Sequence, residues 1–169
     1  MVFTTGNGNA IAADTNMIEL YENGWAEPMA KDCATAKRSI TISAISMFPP
    51  LRQSEAAFNQ LWRAWTEAAG RGIYVLFVLP AQQLAHPATM RNAHAARIAY
   101  DAKMHTRFVP GPRLLHAKSV IIDSTSVWIG SGNMTSAAAM QNHELYVNFK
   151  SEECAHRIER KLFDIANPL

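Results

Sequence analysis

Residues 114–137 read LLHAKSVIIDSTSVWIGSGNMTSA, and they gather the chain's most reactive side-chain types into one short stretch. His116 and Lys118 are two residues apart. In a strand, i and i+2 share a face, so imidazole and ammonium would point the same way, side by side. A polar turn near Ser124-Thr125 separates HAKSVIID from SVWIGSGN, which predicts a hairpin. The hairpin would bring Ser131 and Asn133 toward His116 and Lys118. Gly130 and Gly132 carry no side chain, so a group could approach the backbone there closely. An imidazole, an ammonium, a hydroxyl and an amide around one small space suit a phosphate. Lys118 and Asn133 would hold its non-bridging oxygens, and a neutral His116 could attack phosphorus.

Asp123 lies on the opposite face from His116 by alternation, so its expected part is to fix the turn or anchor a neighbouring backbone. Downstream, QNHELYVNF opens with Asn142, His143 and Glu144 at the start of another strand-like run. Glu144 is a candidate orienter: a carboxylate accepting from one imidazole nitrogen leaves the other free. Other chemistries fit less well. Ser131 is not in a G-x-S-x-G elbow, because its glycines sit directly beside it. His86, His94, His105 and His143 show no His-Glu-x-x-His pattern and no carboxylate cluster at ligand spacing, so no metal is expected. There is no Walker loop.

His116-x-Lys118, then Asp123, then Gly130-Ser131-x-Asn133 resembles the HKD motif of the phospholipase D superfamily. Asn142 and Glu144 are similar to that family's downstream Asn and Glu positions. The motif occurs once, and such a short single-copy chain looks like the small bacterial endonucleases and related phosphodiesterases of the superfamily. The resemblance in element order covers residues 30 to 165; the specific residues lie between 116 and 144. It implies a histidine nucleophile, a phosphohistidine intermediate, a second histidine as general acid, and neither metal nor cofactor. A chain with one copy would borrow the second histidine from an identical chain, which implies a homodimer with one shared site. It further implies roles for Lys118, Ser131 and Asn133 in substrate binding, and structural roles for Asp123, Gly130 and Asn142. The substrate expected is DNA or RNA. A phospholipid substrate, or an inactive nucleic-acid-binding dimer, would fit the same motif. Gly132, at the motif's variable position, could widen the pocket mouth.

These residues need a scaffold, and the flanking sequence supplies one. GWAEPMAKDCATAKR reads as a helix from Glu27, with Lys37-Arg38 at its end, where cations suit the dipole. SITISAISM alternates and is rich in β-branched residues, a strand. SEAAFNQLWRAWTEAAG is a helix with Phe58, Leu61, Trp62 and Trp65 on one face, read as core packing rather than base stacking. IYVLFVLP is apolar on both faces, as a strand covered on both sides would be. PATMRNAHAARIAYDAK reads as helix, HTRFV as a short strand and PGPR as a turn. SEECAHRIERKLFDIA has a Ser151 cap and acidic residues in its first turn, a final helix. The fold class expected is α/β: a mixed β-sheet flanked by helices on both faces.

The totals agree. The chain of 169 residues is sized for one domain, read as 17–169 behind an irregular or disordered N-terminal arm, 1–16. With 49% hydrophobic and 18% charged residues the composition is globular. No apolar run reaches the roughly 18 residues of a membrane span, so no stable membrane association is expected. The start lacks the basic and apolar regions of a signal peptide, and Cys33 and Cys154 read as two buried free thiols, which leans toward the cytoplasm. Net charge is +2, yet residues 49–113 hold eight Lys/Arg against three Asp/Glu, and the remainder eight against eleven. A local basic excess of that kind can meet an anionic polymer or scatter over a solvated surface.

Overall fold

Strand β4 (Ser39–Ser43) alternates Ile40 and Ile42 with Thr41 and Ser43, and so gives the sheet an apolar face and a more polar one. Around it the computed structural model describes residues 2–4, 10–12, 18–50, 56–81 and 87–167. The other strands are β1 (Val2–Thr4), β2 (Ala10–Ala12), β3 (Glu19–Tyr21), β5 (Tyr74–Pro80), β6 (His105–Val109), β7 (Ser119–Ile122), β8 (Ser126–Gly130) and β9 (Tyr146–Lys150). The helices are α1 (Ala26–Ala34), α2 (Ala56–Gly70), α3 (Pro87–Asp101), α4 (Ser136–Met140) and α5 (Glu152–Ala166). The main sheet has seven strands in the order β3-β9-β8-β7-β4-β5-β6. β4, β5 and β6 run parallel to one another; β7, β8, β9 and β3 continue the sheet as antiparallel neighbours. The sheet is mixed, as expected, because the helical crossovers give parallel pairs and the hairpin gives antiparallel ones.

Helices lie on both faces, but unequally. Ile40, Ile42, Val75, Phe77, Val120, Ile122, Trp128 and Tyr146 pack with residues of the first four helices into one large cluster around Trp25, Phe58 and Trp65. Trp62 stacks on Phe77, with 6.1 Å between ring centroids. The opposite face meets α5 alone. Ile121, Val127 and Phe149 pack on Cys154 and Ala155, while Val78, Val109 and Leu115 pack on Leu162. Ser151 caps α5 by accepting from the Cys154 amide at 3.2 Å. Both cysteines are buried and free, and burial pushes their thiols upward in pKa.

Several boundaries differ from the sequence reading, each for a tertiary reason. α1 stops at Ala34, so Lys37 and Arg38 are not in its last turn; their backbone amides are captured by Asp123 instead. β4 ends at Ser43, because the amides of Ile45, Ser46 and Met47 turn to side chains from elsewhere. β5 lies second from an edge, and β7 holds the middle. β3 and the short helix α4 carry no periodic signal and were not expected. In the stretch 1–16, Val2–Thr4 and Ala10–Ala12 pair as an antiparallel ribbon where composition suggests irregular chain; the rest of it lies outside the described residues. Residues 51–55 and 82–86, which include Arg52, the start expected for α2 and His86, also lie outside them. Among the described residues no helix is long and apolar enough to cross a membrane.

Candidate active site

β7 and β8 form the predicted hairpin, paired from Ser119↔Ile129 to Ile122↔Ser126. At its turn Asp123 and Ser124 both have φ near 54°. Aspartate tolerates this left-handed region better than most residues because its short polar side chain bonds locally. The Asp123 carboxylate accepts from the amides of Lys37 at 2.9 Å, Arg38 at 2.7 Å and Ser39 at 3.1 Å, and the Asp123 amide donates to the Ser39 carbonyl at 2.9 Å. Partial burial would raise its pKa, but those three amides and the Arg38 guanidinium outweigh it, and the carboxyl sits below the usual range.

The other end of the hairpin is built differently. His116 and Lys118 lie just before β7, and the Gly130 amide donates to the Lys118 carbonyl at 3.1 Å, which carries the ladder one pair further. Lys118 is 8% exposed, while His116 is exposed. The Lys118 ammonium lies 3.1 Å from His116 Nδ1 and 3.4 Å from Nε2, and donates to the His116 carbonyl at 3.0 Å. Desolvation pulls the Lys118 pKa down, and the nearby Glu144 carboxylate opposes the shift without cancelling it.

Glu144 closes the other side. One of its oxygens accepts a short hydrogen bond from Ser131 Oγ, and the other accepts from Asn142 Nδ2 at 3.0 Å. Ser131 Oγ also accepts from the Leu145 amide at 3.1 Å, so Ser131 is tied at both ends. Among the described residues, none of the hydrogen bonds joins Glu144 to His116; Lys118, not Glu144, lies against the ring within one chain. Asn133 turns its Oδ1 to the amides of Ile45 at 3.2 Å and Ser46 at 3.3 Å. Only its NH2 end can donate to an oxyanion.

Gly130 and Gly132 are approached closely by the protein itself. A Cβ on Gly130 would stand 2.4 Å from the Leu145 carbonyl oxygen and 2.5 Å from the Tyr146 ring. One on Gly132 would meet Tyr146 at 3.1 Å and Glu144 at 3.4 Å. Tyr146 is buried, packs on Trp25 at 4.4 Å between centroids, and donates from its hydroxyl to the Gly132 carbonyl. Both glycines therefore make room for Tyr146, a nearer neighbour than any substrate. Gly132 is itself buried, which argues against a widened mouth.

Asn92 had not been singled out by sequence. It is fully buried on α3, donates to the Ile45 carbonyl at 2.8 Å and the Pro80 carbonyl at 3.4 Å, and accepts from the Met47 amide at 3.1 Å. With Asn133 it fixes the loop after β4 that walls the site. An asparagine in line with the buried Ala95 and Ala99 on the inward face of α3 was the available signal. Among the described residues, three of the basic side chains of 49–113 are engaged by the protein itself. Arg71 donates to the Ala34 carbonyl, Arg97 pairs with Asp101, and Arg107 lies against Phe163 under α5. His94 and His143 are exposed, and His105 stacks on Tyr74 at 4.6 Å. Among the described residues no three His, Cys, Asp or Glu side chains converge as a metal site requires.

Comparison with known proteins adds to this geometry. The cardiolipin synthase, phospholipase D-like domain model matches residues 30–165. Among solved structures, Nuc from Salmonella typhimurium, described as a phospholipase D family member, is 22% identical; the match covers 88% of this chain and 93% of that one, with a TM-score of 0.70. NucT from Helicobacter pylori is 17% identical over 88% of this chain and 94% of that one, TM-score 0.67. Phosphatidylserine synthase from Haemophilus influenzae is 11% identical over 94% of this chain but 42% of that one, TM-score 0.65. No curated protein matches the chain in sequence.

Proposed function

The chain belongs to the phospholipase D-like domain family, and from that premise we propose that it is a metal-independent phosphodiesterase, an endonuclease cleaving DNA, RNA or both. His116 of one chain attacks phosphorus and forms a phosphohistidine. His116 of a second, identical chain protonates the leaving oxygen, and water then releases the product. Lys118 and the Asn133 amide hold the phosphate oxygens, and Ser131 lines the same pocket. Glu144 orients an imidazole once two chains meet. Asp123, Gly130 and Asn142 hold the framework.

The observation that carries this reading is the pair His116 and Lys118 in contact at 3.1 Å beside Ser131 and Glu144, in a chain with one copy of the motif. In-line displacement at phosphorus needs a nucleophile and an acid on opposite sides, and one copy supplies one histidine. A two-fold axis through the site would supply the other. Exposed Leu114, Met140 and Leu145 flank the polar cluster, with exposures of 41, 48 and 54%, and give such an interface apolar area to bury.

Nucleic acid is favoured over phospholipid by architecture. The chain spans nearly all of Nuc and NucT but less than half of the lipid-headgroup synthase. The test is cleavage of supercoiled plasmid and of a structureless RNA in EDTA at low salt. Cleavage that falls steeply as salt rises is expected, since phosphate contacts dominate non-specific affinity. Inertness toward both, with release of headgroup from phospholipid vesicles, would replace the endonuclease with a lipid phosphodiesterase.

A further inference from the structure

A second polar constellation lies on the sheet face under α5. By alternation Lys118 belongs with Val120 and Ile122 on the other face, so this region is separate from the catalytic cluster. Since α5 alone covers this side, the β5–β6 flank leaves a groove of about 410 Å³ lined by Thr41, Leu76, Val78, Arg107, Arg160 and Phe163, among others. That volume falls within the roughly 300–1,000 Å³ of small-ligand sites.

Arg107 is the unusual member. It stands on β6 opposite Val78, and its guanidinium carbon is 4.8 Å from the centroid of the Phe163 ring. Its Nη1 is buried and, among the described residues, has no hydrogen-bond partner. A buried cationic N–H without an acceptor is costly, more so than a neutral one. Arg160 and His156, one turn apart on α5, line the same groove. Glu159 is the lining carboxylate, but its oxygens are engaged by Thr41 Oγ1 at 3.3 Å and Ser124 Oγ at 2.8 Å, with His156 Nδ1 at 3.8 Å. Neither arginine is in an ion pair among the described residues. Leu76, Val78 and Leu162 form an apolar wall beside the two cations.

We propose that this groove is a binding site for a small organic anion, with a phosphate or carboxylate head between Arg107 and Arg160 and an apolar body against Leu76, Val78 and Leu162. The two guanidinium groups, neither in an ion pair among the described residues, supply the charge for the head, and half-buried Leu76 and exposed Phe163 supply apolar surface for the body. The site is independent of the phosphodiesterase reading, because it shares no residue with it.

Three probes test it on the whole protein by calorimetry: inorganic phosphate, a nucleoside monophosphate and octanoate. At least one of the two organic anions is expected to bind tenfold or more tighter than inorganic phosphate, and which one does so identifies the body as a flat base or an aliphatic chain. Arg160→Gln, at an exposed position, should weaken that binding about tenfold and leave any His116-dependent turnover within twofold. Arg107→Met should abolish the binding. Failure of all three probes at millimolar concentration would overturn the site. So would equal binding of all three, or binding that survives Arg160→Gln but is lost in His116→Ala.

Discussion

The two ends of the β7–β8 hairpin make opposite use of polar residues. At the turn, Asp123 faces three backbone amides and a guanidinium, and its charge is stabilised. At the other end, a buried ammonium is pressed against an imidazole, and desolvation works against its charge. One end satisfies its groups and fixes the strand to its neighbour. The other holds an ammonium whose desolvation is only partly offset by Glu144, and on the proposed function an incoming phosphate would complete the compensation. On the proposed function, the lysine and the aspartate of one sequence motif divide between chemistry and construction, which spacing alone does not show.

The sharpest break of that contrast is His116→Ala. Turnover should fall by at least about a thousandfold, as for loss of a covalent nucleophile. Since His116 is exposed, the melting temperature should stay within about 2 °C. Lys118→Met comes next, with a loss of about a hundredfold in kcat/KM and no loss of stability, because a costly buried charge is removed. In the wild type the lowered Lys118 pKa places the alkaline limb of the activity profile below the ~10.4 of a free lysine. A pH–rate series in the wild type checks this, and a limb at or above that value would speak against Lys118.

The other end should behave in reverse. Asp123→Ala should cost about 2–3 kcal/mol by leaving amides unpaired, while kcat per folded molecule stays within about threefold. A carboxyl with a lowered folded pKa contributes stability above its unfolded value of ~3.9 and loses it as pH falls through the folded value. The wild-type advantage should therefore be full at pH 7 and shrink below about pH 4 in denaturant melts. Gly130→Ala bridges the two ends. Its Cβ would clash with the Leu145 carbonyl and Tyr146, costing about 1–3 kcal/mol and disturbing Ser131 and Glu144. Asn92→Ala should give the smallest effect on chemistry: a lower melting temperature with a rise in KM larger than the fall in kcat, if the loop after β4 positions Asn133.

Much of this contrast was legible in the sequence because it is local. Period-two spacing puts His116 beside Lys118, and a polar turn between β-branched runs gives the hairpin. β6 and the capped α5 also follow from pattern. Asp123 could be read as an anchor for a neighbouring backbone; what was not legible is which backbone such long-range side-chain bonds reach. Asp123 reaches the amides of Lys37 to Ser39, and Asn92 and Asn133 take those of Ile45 to Met47, so α1 and β4 end earlier than their patterns suggest. Gly130 and Gly132 could be read as open backbone, but the ring that fills the space comes from Tyr146, on another strand. Glu144 could be assigned to His116 by type, yet within one chain it spends its oxygens on Ser131 and Asn142.

The most direct test of the shared site is to quench the enzyme with detergent at alkaline pH during turnover of an oligonucleotide and count covalent adducts by intact mass and peptide mapping. One phosphate held between two His116 residues can label one chain at a time. The account predicts an acid-labile adduct on His116, a phosphoryl group still carrying the retained part of the oligonucleotide, at no more than one per two chains and absent in His116→Ala. Two adducts per pair of chains, or undiminished turnover in His116→Ala, would contradict it.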